Sequence, residues 1–175
     1  MFKPPYWFHD NIKFPSDTIN KLKIDLSKIE GNVKTSYYID QNERPDKFLN
    51  SFYADIIENI MKNIGIFHLS KYIYTYWSQL YDKKSYHGPH NHATIVNNFR
   101  SDISWVHFID VPEQKCFRFT DTKGNILIPN EQLSGDFICF PSWVWHEVEQ
   151  LKTDYSRVVV AGNISFTSHD VLFSL

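Results

Sequence analysis

Cysteine is scarce in this chain of 175 residues, which contains only Cys116 and Cys139. Two cysteines exclude a disulfide-dense scaffold and a four-cysteine zinc site. Both lie in apolar, strand-like runs, so we expect two buried free thiols. Net charge is small as well, because 18 Lys and Arg residues oppose 20 Asp and Glu residues and leave a formal charge of −2. The chain therefore lacks the basic field of a nucleic-acid-binding domain and carries no nucleic-acid signature.

Long apolar runs are also absent. No run approaches the roughly 18 residues that a membrane-spanning helix needs. The first residues, Met1 to Pro5, lack the apolar stretch of a secretory signal peptide. We therefore predict a cytoplasmic protein with no membrane partner. The length corresponds to one domain at about 150 residues per domain, so we expect a single domain over residues 1–175.

Aromatic residues, by contrast, make up 17% of the chain. They favour pleated, half-buried surfaces, so the composition indicates a mainly β protein. The N-terminal part differs, because its apolar residues predict helices near Ile19–Ile29 and over Asp46–Asn63. In the second helix we expect Phe52, Ile56 and Ile60 to be buried, since they form one stripe.

The rest of the chain consists of short β-type runs separated by turn residues. The clearest of these runs are Ile103–Val111, Lys115–Thr120, Gly135–Phe140 and Arg157–Phe166. Helices followed by many evenly spaced strands predict an α+β chain, mainly β, with an antiparallel jelly roll. We expect a mostly helical N-terminal extension over residues 1–66, packed outside one sheet, and a jelly-roll core over residues 67–175.

Histidines are concentrated in the β-type part of the chain, most densely at His87, His90 and His92. Because residues two apart on a strand point to the same face, His90 and His92 can converge on one metal ion. Imidazole is a ligand for iron, zinc, copper and nickel. His146 is the candidate for a distant third ligand, since it follows a predicted strand and a proline break. His87 lies on the other side of the Gly88-Pro89 turn, and its assignment stays open.

Arg157 begins the last apolar strand, 11 residues after His146. Burying an arginine there is costly unless an anion meets it, and the planar guanidinium matches a carboxylate. The other interpretation is an edge-strand arginine that points to solvent.

The order of these motifs resembles the iron(II)- and 2-oxoglutarate-dependent oxygenase superfamily. The motifs that carry the resemblance are Ser104-Trp105-Val106-His107-Phe108, Gly135-Asp136, Phe140-Pro141-Ser142-Trp143, His146, Arg157 and Asn163. They are closest to a small, prolyl-hydroxylase-like branch found in bacteria and phages. That branch also has a Tyr nine residues before its first iron ligand, and Tyr81 stands nine residues before His90.

The resemblance implies a double-stranded β-helix, which is a jelly roll, with Fe(II) and 2-oxoglutarate as cofactors. It implies His90, His92 and His146 as iron ligands, and Arg157, Tyr81 and Asn163 as cosubstrate-binding residues. The implied activity is a dioxygenase that hydroxylates an unknown primary substrate, consumes O2 and 2-oxoglutarate, and releases succinate and CO2. His92 departs from the family pattern, which has a carboxylate there. The third ligand is therefore either His92 or a nearby carboxylate, with Asp82, Asp102 and Asp110 as the candidates.

Two other functions are compatible with the sequence. A three-histidine, cupin-like dioxygenase without 2-oxoglutarate suits the ligand set, although Arg157 at the cosubstrate position argues against it. A non-catalytic jelly-roll binding module would bind no transition metal.

Overall fold

The protein folds as two antiparallel sheets with two helices outside the larger one. The structure, a computed structural model, describes residues 4–64, 71–96 and 99–167. The helices are α1 (Ser16–Ser27) and α2 (Asn50–Asn63), with a 3₁₀ turn, Lys47–Leu49, leading into α2. None of the helices in these ranges is long and apolar enough to cross a membrane.

Eleven strands are present in the described residues. In chain order they are β1 (Trp7–Asn11), β2 (Lys34–Thr35), β3 (Tyr72–Tyr81), β4 (His87–His90), β5 (Ile95–Val96), β6 (Phe99–Asp110), β7 (Phe117–Thr120), β8 (Ile126–Leu127), β9 (Asp136–Pro141), β10 (His146–Val148) and β11 (Arg157–Thr167). The larger sheet has the order β1-β9-β6-β11-β3-β2, with β5 also paired to β6, and the smaller sheet has the order β4-β10-β7-β8. This is the predicted jelly roll.

Strand alternation divides the core into two layers. On β3, Tyr76 and Leu80 face the helices, whereas Trp77 and Tyr81 face the smaller sheet. The helix layer includes the buried residues Leu22 and Leu26 of α1 and Tyr53, Ile56, Ile57, Ile60 and Met61 of α2. The prediction of helices packed outside one sheet is therefore confirmed. The second layer lies between the two sheets, and it contains the cavity described below.

Several local predictions need correction. The second helix begins at Asn50 rather than Asp46, because the preceding residues form the 3₁₀ turn. Phe52 is only partly buried, since it packs at the margin of the helix layer against Phe14, with ring centroids 4.5 Å apart. The N-terminal part also contains β1, which extends the larger sheet by pairing with β9.

His107 is fully buried in the helix layer. Its Nε2 lies 2.7 Å from the carbonyl oxygen of Ile12 and its Nδ1 lies 3.0 Å from the Tyr53 hydroxyl. Because a carbonyl only accepts, Nε2 carries the proton and Nδ1 accepts from Tyr53. Burial lowers the pKa of His107 to about 4, so this histidine is a neutral core residue.

Gly162 on β11 lies where backbone and an aromatic ring pack closely, which provides a test of the fold. A Cβ atom there would lie 2.3 Å from the carbonyl oxygen of Thr75 and 2.4 Å from the buried ring of Trp105. We expect Gly162→Ala to lower the free energy of unfolding by about 1–3 kcal/mol, because overpacking forces backbone and ring to move. Urea denaturation measures this change. Gly88→Ala is the control, since a Cβ there meets nothing within 4 Å; equal stability of both variants would contradict the packing described.

Candidate active site

Three histidines converge at one end of the space between the sheets. The ligand atoms of His90, His92 and His146 all lie within 4.8 Å of one another. His90 and His146 are directly opposite each other on the paired strands β4 and β10, and their ring centroids are 4.3 Å apart. His92 lies 5.1 Å from each of them by the same measure. A single divalent ion fits between three imidazoles so placed.

His92 reaches this group by a different route from the one predicted. Strand β4 ends at His90, so the two residues do not alternate along one strand. The backbone N–H of His92 instead donates to the carbonyl oxygen of Ser142 at 2.8 Å, which fixes the chain beside β9. The His92 ring then packs against Trp77, with centroids 5.5 Å apart.

Backbone carbonyls orient two of the rings. The Nδ1 atom of His90 lies 2.8 Å from the Gly88 carbonyl oxygen, and that of His146 lies 3.1 Å from the Val144 carbonyl oxygen. Since a carbonyl cannot donate, each Nδ1 carries a proton, and each Nε2 keeps a lone pair for a metal. Burial lowers the pKa of His90 and His146, and it lowers the pKa of His92 to about 4. All three rings are therefore neutral ligands at neutral pH.

No carboxylate joins the three histidines within the part of the chain that the structure describes. Asp82 accepts hydrogen bonds from the Lys84 backbone N–H at 3.0 Å and the Ser85 hydroxyl at 2.9 Å. Asp110 forms an ion pair with Lys23 and accepts from the Tyr155 hydroxyl at 2.6 Å. Neither is a member of the group, and neither is Asp102.

Arg157 is a buried charged residue of the same cavity. It is 2% exposed, and among the described residues Nε, Nη1 and Nη2 have no hydrogen-bond partner. The Tyr81 ring lies beside the guanidinium, with its centroid 4.3 Å from Cζ. Although burial lowers its pKa, a guanidinium stays charged in proteins. A buried, unpaired cation costs several kcal/mol, so an anion bound at this position would offset that cost.

The cavity connects the histidines with Arg157. Its lining consists of Trp77, Gln79, Tyr81, His87, His90, His92, Val106, Phe108, Phe117, His146, Val148, Arg157, Val159 and Ala161. Arg157, Val159 and Ala161 alternate along β11 and line the cavity on one face of the strand. Asn163 is not part of the lining; its side-chain oxygen accepts a hydrogen bond from the Ser104 hydroxyl at 2.8 Å.

Two polar residues of the lining were not among the predicted site residues. His87 stacks on His90 with ring centroids 4.1 Å apart, although it lies outside the three-histidine group. Gln79 is 6% exposed and lies two residues before Tyr81 on β3. Strand alternation with Trp77 and Tyr81 was the signal that would have placed Gln79 in the cavity.

The fold and the cavity define a double-stranded β-helix in which three histidines that could hold one metal ion lie in the same cavity as a buried arginine. Solved structures with the same fold include a prolyl-4-hydroxylase from Pseudomonas putida, with a TM-score of 0.60, 17% identity, and coverage of 93% of this chain and 92% of that one. A prolyl hydroxylase from Trichoplax adhaerens, solved with a peptide fragment of the hypoxia inducible factor oxygen degradation domain, has a TM-score of 0.64, 12% identity, and coverage of 98% and 87%.

A sequence relative points to the same enzymes. The chain is 28% identical to a PKHD-type hydroxylase of Crocosphaera subtropica, over 87% of this chain and 75% of that protein. No protein-family model matches the chain. The resemblance to the prolyl-hydroxylase-like branch that the motifs predicted is thus confirmed by an independent sequence match, and the jelly-roll fold is confirmed by the solved structures.

Proposed function

We propose that the protein is a non-haem Fe(II)- and 2-oxoglutarate-dependent dioxygenase that hydroxylates a primary substrate. The observation that carries this proposal is the placement of an unpaired, buried Arg157 in the same cavity as three neutral imidazoles. A metal site alone needs no buried cation beside it. A cosubstrate that binds the metal at one end and carries a carboxylate at the other accounts for both features.

His90, His92 and His146 would hold the iron through imidazole nitrogens, and three facial ligands leave positions open for other molecules. Arg157 would bind the far carboxylate of 2-oxoglutarate through a bidentate, charge-assisted pair. When both are bound, they supply the oxidising chemistry in which 2-oxoglutarate, O2 and a C–H bond become succinate, CO2 and an alcohol. The apolar lining residues, such as Val106, Phe108 and Val159, exclude water from this space.

The experiment for the proposal is succinate release from 2-oxoglutarate by protein loaded with Fe(II) under air. We expect release that depends on both iron and O2. Absence of release from iron-loaded protein would contradict the proposal.

A three-histidine dioxygenase that needs no cosubstrate is the second candidate, because no carboxylate joins the ligand group in the described residues. It predicts consumption of O2 with a primary substrate in the absence of 2-oxoglutarate. A substrate screen by oxygen electrode, with and without 2-oxoglutarate, separates the two functions.

The replacement His92→Asp tests the ligand set. Three neutral imidazoles leave the full charge of a divalent ion uncompensated, so an aspartate at this position adds an attractive Coulomb interaction. We expect the affinity for Ni²⁺ without 2-oxoglutarate to rise roughly ten-fold, equivalent to about 1.4 kcal/mol, in a calorimetric titration. His92→Ala should weaken the same affinity. Unchanged binding in both variants would mean that residue 92 is not a ligand.

A further inference from the structure

Gln79 is a polar, uncharged side chain of the cavity lining whose presence the proposed metal and cosubstrate sites do not explain. It is 6% exposed, among apolar residues such as Val106, Phe108 and Val159. A buried amide is costly unless its donors and acceptor are hydrogen-bonded. The position therefore needs either a complete set of internal partners or a ligand.

The protein supplies a hydrogen-bond partner for only one of the two polar atoms of the Gln79 amide within the described residues. The Tyr81 hydroxyl donates to Gln79 Oε1 at 3.1 Å. In the part of the chain that the structure describes, Nε2 donates to no protein atom, and it is not one of the fully enclosed atoms that lack a partner, so its two N–H groups are open to the cavity. With Oε1 bonded to Tyr81, the N–H groups of Nε2 are the part of the amide left for a ligand.

Register brings this amide close to Arg157. On the paired strands β3 and β11, Tyr81 lies opposite Arg157 and Gln79 lies opposite Val159. All four positions belong to the cavity lining, so Gln79 and Arg157 are diagonal neighbours on one face. Long side chains on diagonal positions can reach a common partner.

We infer that Gln79 is a cosubstrate-binding residue that, held by Tyr81, donates its free amide N–H to the carboxylate bound by Arg157. This inference rests on the proposed function and adds a second donor to the anion site. Gln79 and Arg157 together present only N–H donors to this part of the cavity, and a carboxylate is the ligand that accepts from all of them. Tyr81 acts as a positioning residue, since its hydroxyl is used to orient the amide.

Two replacements of Gln79 distinguish binding from a merely structural role. Gln79→Met keeps the length of the side chain and removes the donors. We expect the affinity of Ni²⁺-loaded protein for 2-oxoglutarate to fall about ten-fold or more, as for loss of a hydrogen bond to a charged group. The melting temperature of the ligand-free protein should change little, because loss of the hydrogen bond from Tyr81 is offset by removal of an incompletely bonded buried amide.

Gln79→Glu should have a larger effect in the same titration. The new carboxylate would pair with Arg157 inside the protein, so we expect 2-oxoglutarate affinity to fall by about a hundred-fold or more while the ligand-free protein melts at an equal or higher temperature. Gln150→Met is the matched control, since Gln150 is exposed and donates only to the Lys84 carbonyl oxygen. It should leave 2-oxoglutarate binding unchanged.

Calorimetry and thermal melting of the full chain give distinct outcomes. Weaker 2-oxoglutarate binding in both Gln79 variants, with unchanged Ni²⁺ binding and little or no loss of melting temperature, is the expected result. If the wild-type protein binds 2-oxoglutarate and Gln79→Met binds it equally well, or loses affinity only in proportion to lost stability, the role of Gln79 is wrong while the proposed function stands. If the Ni²⁺-loaded wild-type protein does not bind 2-oxoglutarate, the proposed function itself fails.

Discussion

Replacing Arg157 with alanine is expected to weaken 2-oxoglutarate binding by roughly thirty-fold or more, while metal binding stays nearly intact. Removing one partner of a desolvated charge pair costs on the order of 2–5 kcal/mol, and 2 kcal/mol corresponds to about thirty-fold. All three guanidinium nitrogens lack hydrogen-bond partners in the part of the chain that the structure describes, so the replacement removes no hydrogen bond within it. Titration of 2-oxoglutarate into the Ni²⁺-loaded variant measures the effect.

Two further variants sharpen the Arg157 experiment. Arg157→Lys should recover part of the affinity, because it restores a point charge without the planar fork. Arg118→Ala is the control, since Arg118 makes surface ion pairs with Glu147 and Glu149 and does not line the cavity. Unchanged 2-oxoglutarate affinity in Arg157→Ala would remove the anion site and make the three-histidine dioxygenase the better interpretation.

Replacing His146 with alanine should abolish tight binding of a divalent metal. His146 is the ligand supplied by β10, opposite the strand that ends at His90, so its loss leaves two ligands on one side of the ion. We expect no saturable Ni²⁺ binding at micromolar concentrations by calorimetry, at pH 7, where the wild-type imidazoles are neutral. Metal removal by a chelator should likewise abolish 2-oxoglutarate binding in the wild-type protein.

His9→Ala is the matched control for this variant. His9 lies on β1, packs against Phe137, and is outside the three-histidine group. It should bind Ni²⁺ as the wild-type protein does. Wild-type affinity in His146→Ala would contradict the metal site.

Much of the fold could be predicted because its signals are local. The apolar stripe of α2 has helical spacing, and the strands of the jelly roll are short apolar runs bounded by turn residues. Strand β1 could not be predicted, because Trp7–Asn11 mixes aromatic and polar residues in no clear alternation. It is a strand only because the edge of β9 offers it backbone hydrogen bonds, and pairing across more than 100 residues leaves no local pattern.

Most residues of the candidate site could be predicted, but their arrangement could not, because it depends on contacts between residues that are distant in the chain. His146 meets His90 through strand pairing, which the sequence does not encode at short range. His92 was expected on a strand, whereas a backbone hydrogen bond to Ser142 places it. Gln79 could be found only once Tyr81 was known to face the cavity, because a glutamine within a strand has no distinctive pattern of its own.

The proposed function is tested most directly by measuring whether oxygen from O2 enters succinate during 2-oxoglutarate turnover. Iron-loaded protein is incubated with 2-oxoglutarate under ¹⁸O2, and the succinate is analysed by mass spectrometry. The proposed function predicts succinate that contains a single ¹⁸O atom, with none formed above background by His146→Ala. Iron-loaded wild-type protein that forms no labelled succinate beyond that variant would contradict the account.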